Sequence, residues 1–197
     1  MRIHLIRHGE VENPEHVVYA DLPGFALSTL GRDQGAAAGR HLQNRPLTRI
    51  VTSPLERAME TAGLLSDATE APVAVDGQLT EWLLASRWAG VQWEELPRRF
   101  PGELEAYLAH PDALPFSPEP LSELATRVAG AILSWVDGAP GDVAFVSHQD
   151  PIHAGRLTLT GADFSPFHRD KPGHCSVSTL EPTGDAWTMI DYWEPAQ

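Results

Sequence analysis

Two arginines, two histidines and a glutamate stand just where short apolar runs have ended. Arg7-His8-Gly9 closes the run RIHLIR (2–7), Ser53 through Arg57 follows RIVT (49–52), Ser147-His148-Gln149 ends DVAFVS (142–147), and Glu81 lies beyond VAVD (73–76). A buried strand rarely finishes in bulky basic side chains unless an anion is to be met there. The planar guanidinium of arginine donates paired hydrogen bonds that match phosphate oxygens. A neutral imidazole is a competent nucleophile toward phosphorus near neutral pH. Flanking cations stabilise the charge that grows on the oxygens of a transferring phosphoryl group. With no metal-ligand motif among them, these residues suit phosphoryl chemistry.

The elements that must position them are legible in outline. The four apolar runs above read as strands, and DVAFVS is apolar enough to be covered on both sheet faces. Helices are expected over 31–45, weakened by Gly35 and Gly39, over SPLERAMETAGLL (53–65), near 102–109, over 121–136 and around 151–160. In the second of these, Ser53 reads as the N-cap, Pro54 as the first helical residue and Glu56 as the partner in a capping box. Leu55, Ala58, Met59, Ala62 and Leu65 recur on one helical face, and Arg57 in the first turn adds to the positive end of the helix dipole. Two last strands, SVSTLEP and AWTMIDYWE, flank a TGD turn at 183–185. Strands alternating with helices predict an α/β sandwich with a mostly parallel sheet, whose ligands bind beyond the carboxyl ends of the strands.

The chain has 197 residues, which suits a single domain spanning 1–197; the Trp- and Pro-rich stretch 82–120 reads as an insertion that covers the substrate. A net charge of −13 argues against general affinity for nucleic acid or anionic membrane. The lone cysteine, Cys175, excludes an internal disulfide and fits a reducing compartment. No apolar run is long enough to span a membrane and no signal peptide is read, so cytoplasm is the expected location. Oligomeric state leaves no mark on the sequence.

The sequence resembles the histidine phosphatase superfamily, the phosphoglycerate-mutase-like or RHG family. The segments that carry the likeness are LIRHGE (5–10), TSPLERAMETA (52–62), LTE (79–81) and VSH (146–148), in the family's order across nearly the whole chain. The resemblance implies a three-layer α/β/α sandwich that needs no metal or other cofactor. It implies that His8 is a nucleophile that becomes phosphorylated, that Arg7, Arg57 and His148 complete a phosphate pocket, and that Glu81 is the acid and then the base. Two more phosphate contacts are nominated: Asn13, one position before the asparagine of the mutase signature, and Gln149, where the family commonly has glycine. SRWAG (86–90) is similar to the GxWEG that often follows the acid, with Ser86 and Ala89 as departures.

Other readings of the same residues stay open. Arg7 and Arg57 could pair with carboxylates such as Glu10 or Glu56, and Glu103 or Glu105 could compete with Glu81. His148, Asp150 and His153, or His168, His174 and Cys175, could suggest a metal, although neither set has a recognised ligand spacing. Trp82, Trp88 and Trp93 are either packing or an aromatic cage. Arg98-Arg99 is either a solvated face or a second anionic anchor. The expected activity is hydrolysis of a small phosphorylated substrate, with mutase-type transfer or a phospho-ligand binding module as alternatives.

Overall fold

The computed structural model describes residues 1–184 and 186–196. The chain runs β1 (Ile3–Arg7), α1 (Thr29–Leu42), β2 (Leu47–Thr52), α2 (Glu56–Thr69), β3 (Val73–Val75), the short helices α3 (Leu83–Arg87), α4 (Leu96–Arg99) and α5 (Glu103–Ala109), then α6 (Leu121–Val136), β4 (Asp142–Ser147), α7 (Gln149–Thr160), β5 (Val177–Thr183) and β6 (Ala186–Trp193).

The strands form one six-stranded sheet in the order β3-β2-β4-β1-β5-β6. β3, β2, β4 and β1 are parallel, while β5 runs antiparallel to β1 and β6 antiparallel to β5. Period-two alternation sends Ile3, Leu5, Val143 and Phe145 into one core with α6 and α7. It sends Ile6, Ala144 and Val146 into a second core with α1 and α2. The result is a three-layer α/β/α sandwich with a mostly parallel sheet, as expected. β4 is buried along its whole length, which its unbroken apolar run requires. No described helix is long and apolar enough to cross a membrane.

Several expected boundaries shift. α1 begins at Thr29, not 31, because Ser28 caps it by accepting from the Gly31 N–H at 3.0 Å. Gly39 does not simply weaken this helix: a Cβ there would sit 2.9 Å from the Cβ of Ala68, so its absence lets α1 and α2 pack closely. α2 begins at Glu56 with no side-chain cap, so Ser53, Pro54 and Glu56 form no capping box. Met59, expected on the buried face, is 39% exposed, and Arg57 and Thr61 are buried instead. α7 begins at Gln149, earlier than expected, which brings its positive end up to His148. Asp185, in the expected TGD turn, lies outside the described residues.

The stretch 82–120 folds as short helices pinned at both ends. Trp82 Nε1–H donates to Glu119 O at 2.8 Å, and Glu119 takes a two-pronged ion pair from Arg127 of α6. Arg127 also donates to the carbonyls of Gln78 and Thr80, at 2.6 and 3.3 Å. One guanidinium therefore ties the turn before Glu81 to the far end of this stretch.

Candidate active site

The parallel strands end together, and the first residues beyond them are knitted by hydrogen bonds. His8 N–H donates to Ser147 O at 2.9 Å, Ser53 N–H to Val146 O at 2.9 Å, and Ser147 Oγ–H to Leu79 O at 2.6 Å. Gly9 then presses onto the start of α1, where a Cβ would lie 2.5 Å from Gly31 O. Only glycine permits that approach, so the loop carrying His8 has one path.

His8 is 1% exposed. Its Nδ1 lies 2.7 Å from Gly9 O. A carbonyl only accepts, so the proton sits on Nδ1 and Nε2 keeps its lone pair. Arg57 Nε–H donates to that lone pair at 3.2 Å. Burial first, then competition with the neighbouring His148 for a proton and the positive fields of Arg57 and Arg7, hold His8 well below the usual histidine pKa. It is neutral across the physiological range.

Arg57 is also buried, and its Nη2 donates to Ala20 O at 2.8 Å while the guanidinium lies 4.7 Å from the Tyr19 ring centre. Arg7 donates through Nη1 to Pro172 O at 3.1 Å and through Nη2 to His174 Nε2 at 2.8 Å. His174 can accept because burial, followed by Arg7 itself, pushes its pKa down to about 4. Among the described residues Arg7 Nε is buried without a hydrogen-bond partner.

His148 is fully buried, with Nε2 2.8 Å from Ser53 Oγ. Ser53 Oγ also accepts from Leu55 N–H at 3.3 Å. With the Ser53 hydroxyl donating to Nε2, the ring carries its proton on Nδ1. That nitrogen has no partner among the described residues and lies 3.9 Å from Glu81 Oε2. The arrangement is a neutral imidazole with a donor held ready for an oxyanion. Burial, then Arg57 and Arg7, keep the ring uncharged.

Glu81 Oε1 accepts from Trp82 N–H at 2.9 Å, and Oε2 lies 4.0 Å from Arg57 Nη2. Burial raises its pKa to about 7 against the opposing pull of Arg57. A carboxyl poised near neutrality can both give and take a proton.

Arg7, His8 and Glu81 border a pocket of about 240 Å³, with Arg57 and His148 buried behind them. Arg7, His8, Tyr19, Glu81, Gln149 and Asp150 form its polar side, and residues of the 82–107 stretch with Val17 and Val18 form the rest. Trp82, Trp88 and Trp93 all line it, so packing and pocket wall are one role here; Trp82 is 1% exposed and Trp93 43%. Gln149 lines the pocket with its amide drawn toward Pro172 O at 3.4 Å. Asn13 does not reach the pocket: its amide closes a turn on Val17, donating to the carbonyl at 2.9 Å and accepting from the N–H at 3.1 Å.

The rival readings fare differently. Glu103 pairs with Arg87 and accepts from Trp88 Nε1, and neither it nor Glu105 lines the pocket. Arg98 is exposed and pairs with Glu95, and neither it nor Arg99 lines the pocket, which removes the second-anchor reading. Of the suggested metal ligands, Asp150 binds Tyr107 and Lys171, His168 binds Tyr107 O, and His174 binds Arg7. Cys175 is buried and its thiol is pushed up to about 12. Tyr19 and His174 carried no motif or spacing signal. Ser53 did carry one, but for a helix cap.

The family model described as histidine phosphatase superfamily (branch 1) matches residues 3–194. An uncharacterised protein of Mycobacterium tuberculosis strain H37Rv is 34% identical over 205 residues, covering 99% of this chain and 96% of that one. A glucosyl-3-phosphoglycerate phosphatase of Mycolicibacterium vanbaalenii is 32% identical over 168 residues, 81% of this chain and 74% of that one. Among solved structures, a mycobacterial glucosyl-3-phosphoglycerate phosphatase in complex with VO3 superposes with a TM-score of 0.87 at 27% identity, covering 99% of each chain.

Proposed function

The chain belongs to the histidine phosphatase superfamily, and on that premise we propose that it hydrolyses phosphomonoesters of small metabolites in the cytoplasm, without a metal, through a phosphohistidine at His8. The observation that carries this is the state of His8: proton on Nδ1, lone pair on Nε2, two arginines and His148 beside it.

In the first step the His8 Nε2 lone pair attacks phosphorus and the bond to the leaving oxygen breaks. Glu81, protonated, gives its proton to that oxygen. Arg57 now releases the lone pair it holds in the free enzyme, since phosphoryl oxygens are stronger, charged acceptors. Arg7 and the Nδ1–H of His148 complete the stabilisation of the equatorial oxygens, with Gln149 at the pocket's edge. In the second step the Glu81 carboxylate takes a proton from water, whose oxygen attacks the phosphorus. The P–N bond breaks, His8 is restored and inorganic phosphate leaves. The small pocket and the phosphatase relatives support a small-metabolite substrate. The net charge of −13 supports neither nucleic acid nor an anionic membrane as partner.

The test is covalent. A phosphate ester labelled on phosphorus, quenched within one turnover, should leave acid-labile, base-stable label on His8. His8→Ala should carry no label and lose nearly all turnover. Dialysis against EDTA should leave the rate unchanged. Label on Ser53 or Cys175 would sink the assignment, and activity lost to EDTA and restored by Zn²⁺ or Mg²⁺ would transfer it to a metal mechanism.

A further inference from the structure

Beyond the phosphoryl group, the pocket has little with which to hold a second charge. Val17, Val18, Leu84, Ala85, Trp88 and Trp93 make an apolar wall in its lining. Among the described residues lining the pocket, Arg7 is the only permanently charged cation. It sits with the phosphoryl-binding groups and already binds Pro172 O and His174. The nearby cations are engaged elsewhere. Lys171 Nζ lies 2.6 Å from Asp150 Oδ1 and 2.8 Å from Tyr107 Oη. Arg87 is held by Glu103, and Arg98 by Glu95.

A carboxylate on the leaving group would lose its hydration against this wall and gain no partner, which is costly. An uncharged hydrocarbon group would be stabilised by the same contacts. At about 240 Å³ the space falls below the roughly 300–1,000 Å³ usual for drug-sized ligands, which favours a short group. We infer that the leaving-group subsite selects a small, uncharged, largely apolar alcohol, so that the substrates are alkyl or aryl phosphates without a second anionic group. This rests on the phosphatase reading and narrows it. It also sets the chain apart from its glucosyl-3-phosphoglycerate phosphatase relatives, whose named substrate carries a carboxylate.

The test compares esters with matched leaving oxygens, so that reactivity does not decide the result. Steady-state kinetics of n-hexyl phosphate and of 5-carboxypentyl phosphate differ only in the terminal group. The neutral ester should have a kcat/KM at least tenfold higher, with the difference mainly in KM. Along the series from ethyl to hexyl, kcat/KM should rise about fourfold per methylene until the pocket is full. Trp93→Ala, at a partly exposed position of the wall, should lower kcat/KM for the hexyl ester about tenfold more than for the ethyl ester. Equal or faster turnover of the carboxylate ester, or a flat methylene series, would overturn the apolar subsite while leaving the phosphatase reading standing. Failure to hydrolyse any ester, with no label on His8, would overturn both.

Discussion

In the proposed mechanism Glu81 is acid in one step and base in the next, and its surroundings suit both. A carboxyl with a pKa of about 7 is half ionised at neutrality, so neither state is costly to reach. Arg57, 4.0 Å away, keeps burial from raising it further. The role is separable by leaving group. An alkoxide needs a proton to depart, whereas p-nitrophenolate leaves unaided. Glu81→Gln should therefore lose about two to four orders of magnitude in kcat/KM on an alkyl phosphate. On p-nitrophenyl phosphate the first step should survive, with phosphoenzyme accumulating because water is no longer activated. For the wild type, kcat/KM on the alkyl ester should fall as pH rises through about 7, while the aryl ester holds level. Single-turnover kinetics on both esters decide the matter. Equal loss on both, with no accumulation, would mean that Glu81 shapes the pocket and another group moves the proton.

The elements around Glu81 converge on one side chain. Arg127, from α6, holds Glu119 in two bonds and the carbonyls of Gln78 and Thr80 in two more. Arg127→Lys keeps the charge but not the fork, so it cannot make all four contacts at once. It should lower the melting temperature and reduce kcat on alkyl esters more than on p-nitrophenyl phosphate, since the displaced group is the acid. Uniform loss across esters would show a merely structural anchor. No local pattern announced Arg127, because its partners lie 8 to 49 residues away. β4 and α6, by contrast, were readable to the residue: one is apolar between its two end residues, the other has a clean apolar face. Ser53 misled because its chemistry fits two roles. Its spacing to Glu56 matches a capping box, but its hydroxyl is taken by His148, 95 residues on. Arg98 and Arg99 misled by adjacency alone, since Glu95, one turn earlier, answers Arg98. The motif residues at the strand ends were legible because the sheet's topology leaves them only one edge. Tyr19 and His174 were not, because long loops bring them there.

At the scale of the whole molecule, the way the site and core keep histidines neutral has a cost in acid. His4 and His153 are buried and, like His174, have pKa values pushed down to about 4, with burial the first cause in each. His8 and His148 are held well below the usual histidine value in the same direction, again with burial the first cause. In the unfolded chain each returns to about 6.5. Between about pH 6.5 and 4, then, the unfolded state binds more protons, and stability falls as pH falls, by about 1.4 kcal/mol per unit for each such group. Glu81 works the other way. Its folded pKa of about 7 exceeds the unfolded value, so between about 4.5 and 7 acidification favours the folded state. One carboxyl opposes five imidazoles, and the imidazoles win. The melting temperature should drop by roughly 10 °C or more from pH 7 to pH 5, at about 2–4 °C per kcal/mol for a chain of this size. Calorimetry across that range, with proton uptake measured on unfolding, tests the claim. Uptake should be positive near pH 5.5, and His4→Asn should flatten the slope. A melting temperature that holds level or rises toward pH 5 would mean that these imidazoles are charged in the folded protein, and the neutral His8 on which the nucleophilic step depends would be in doubt with them.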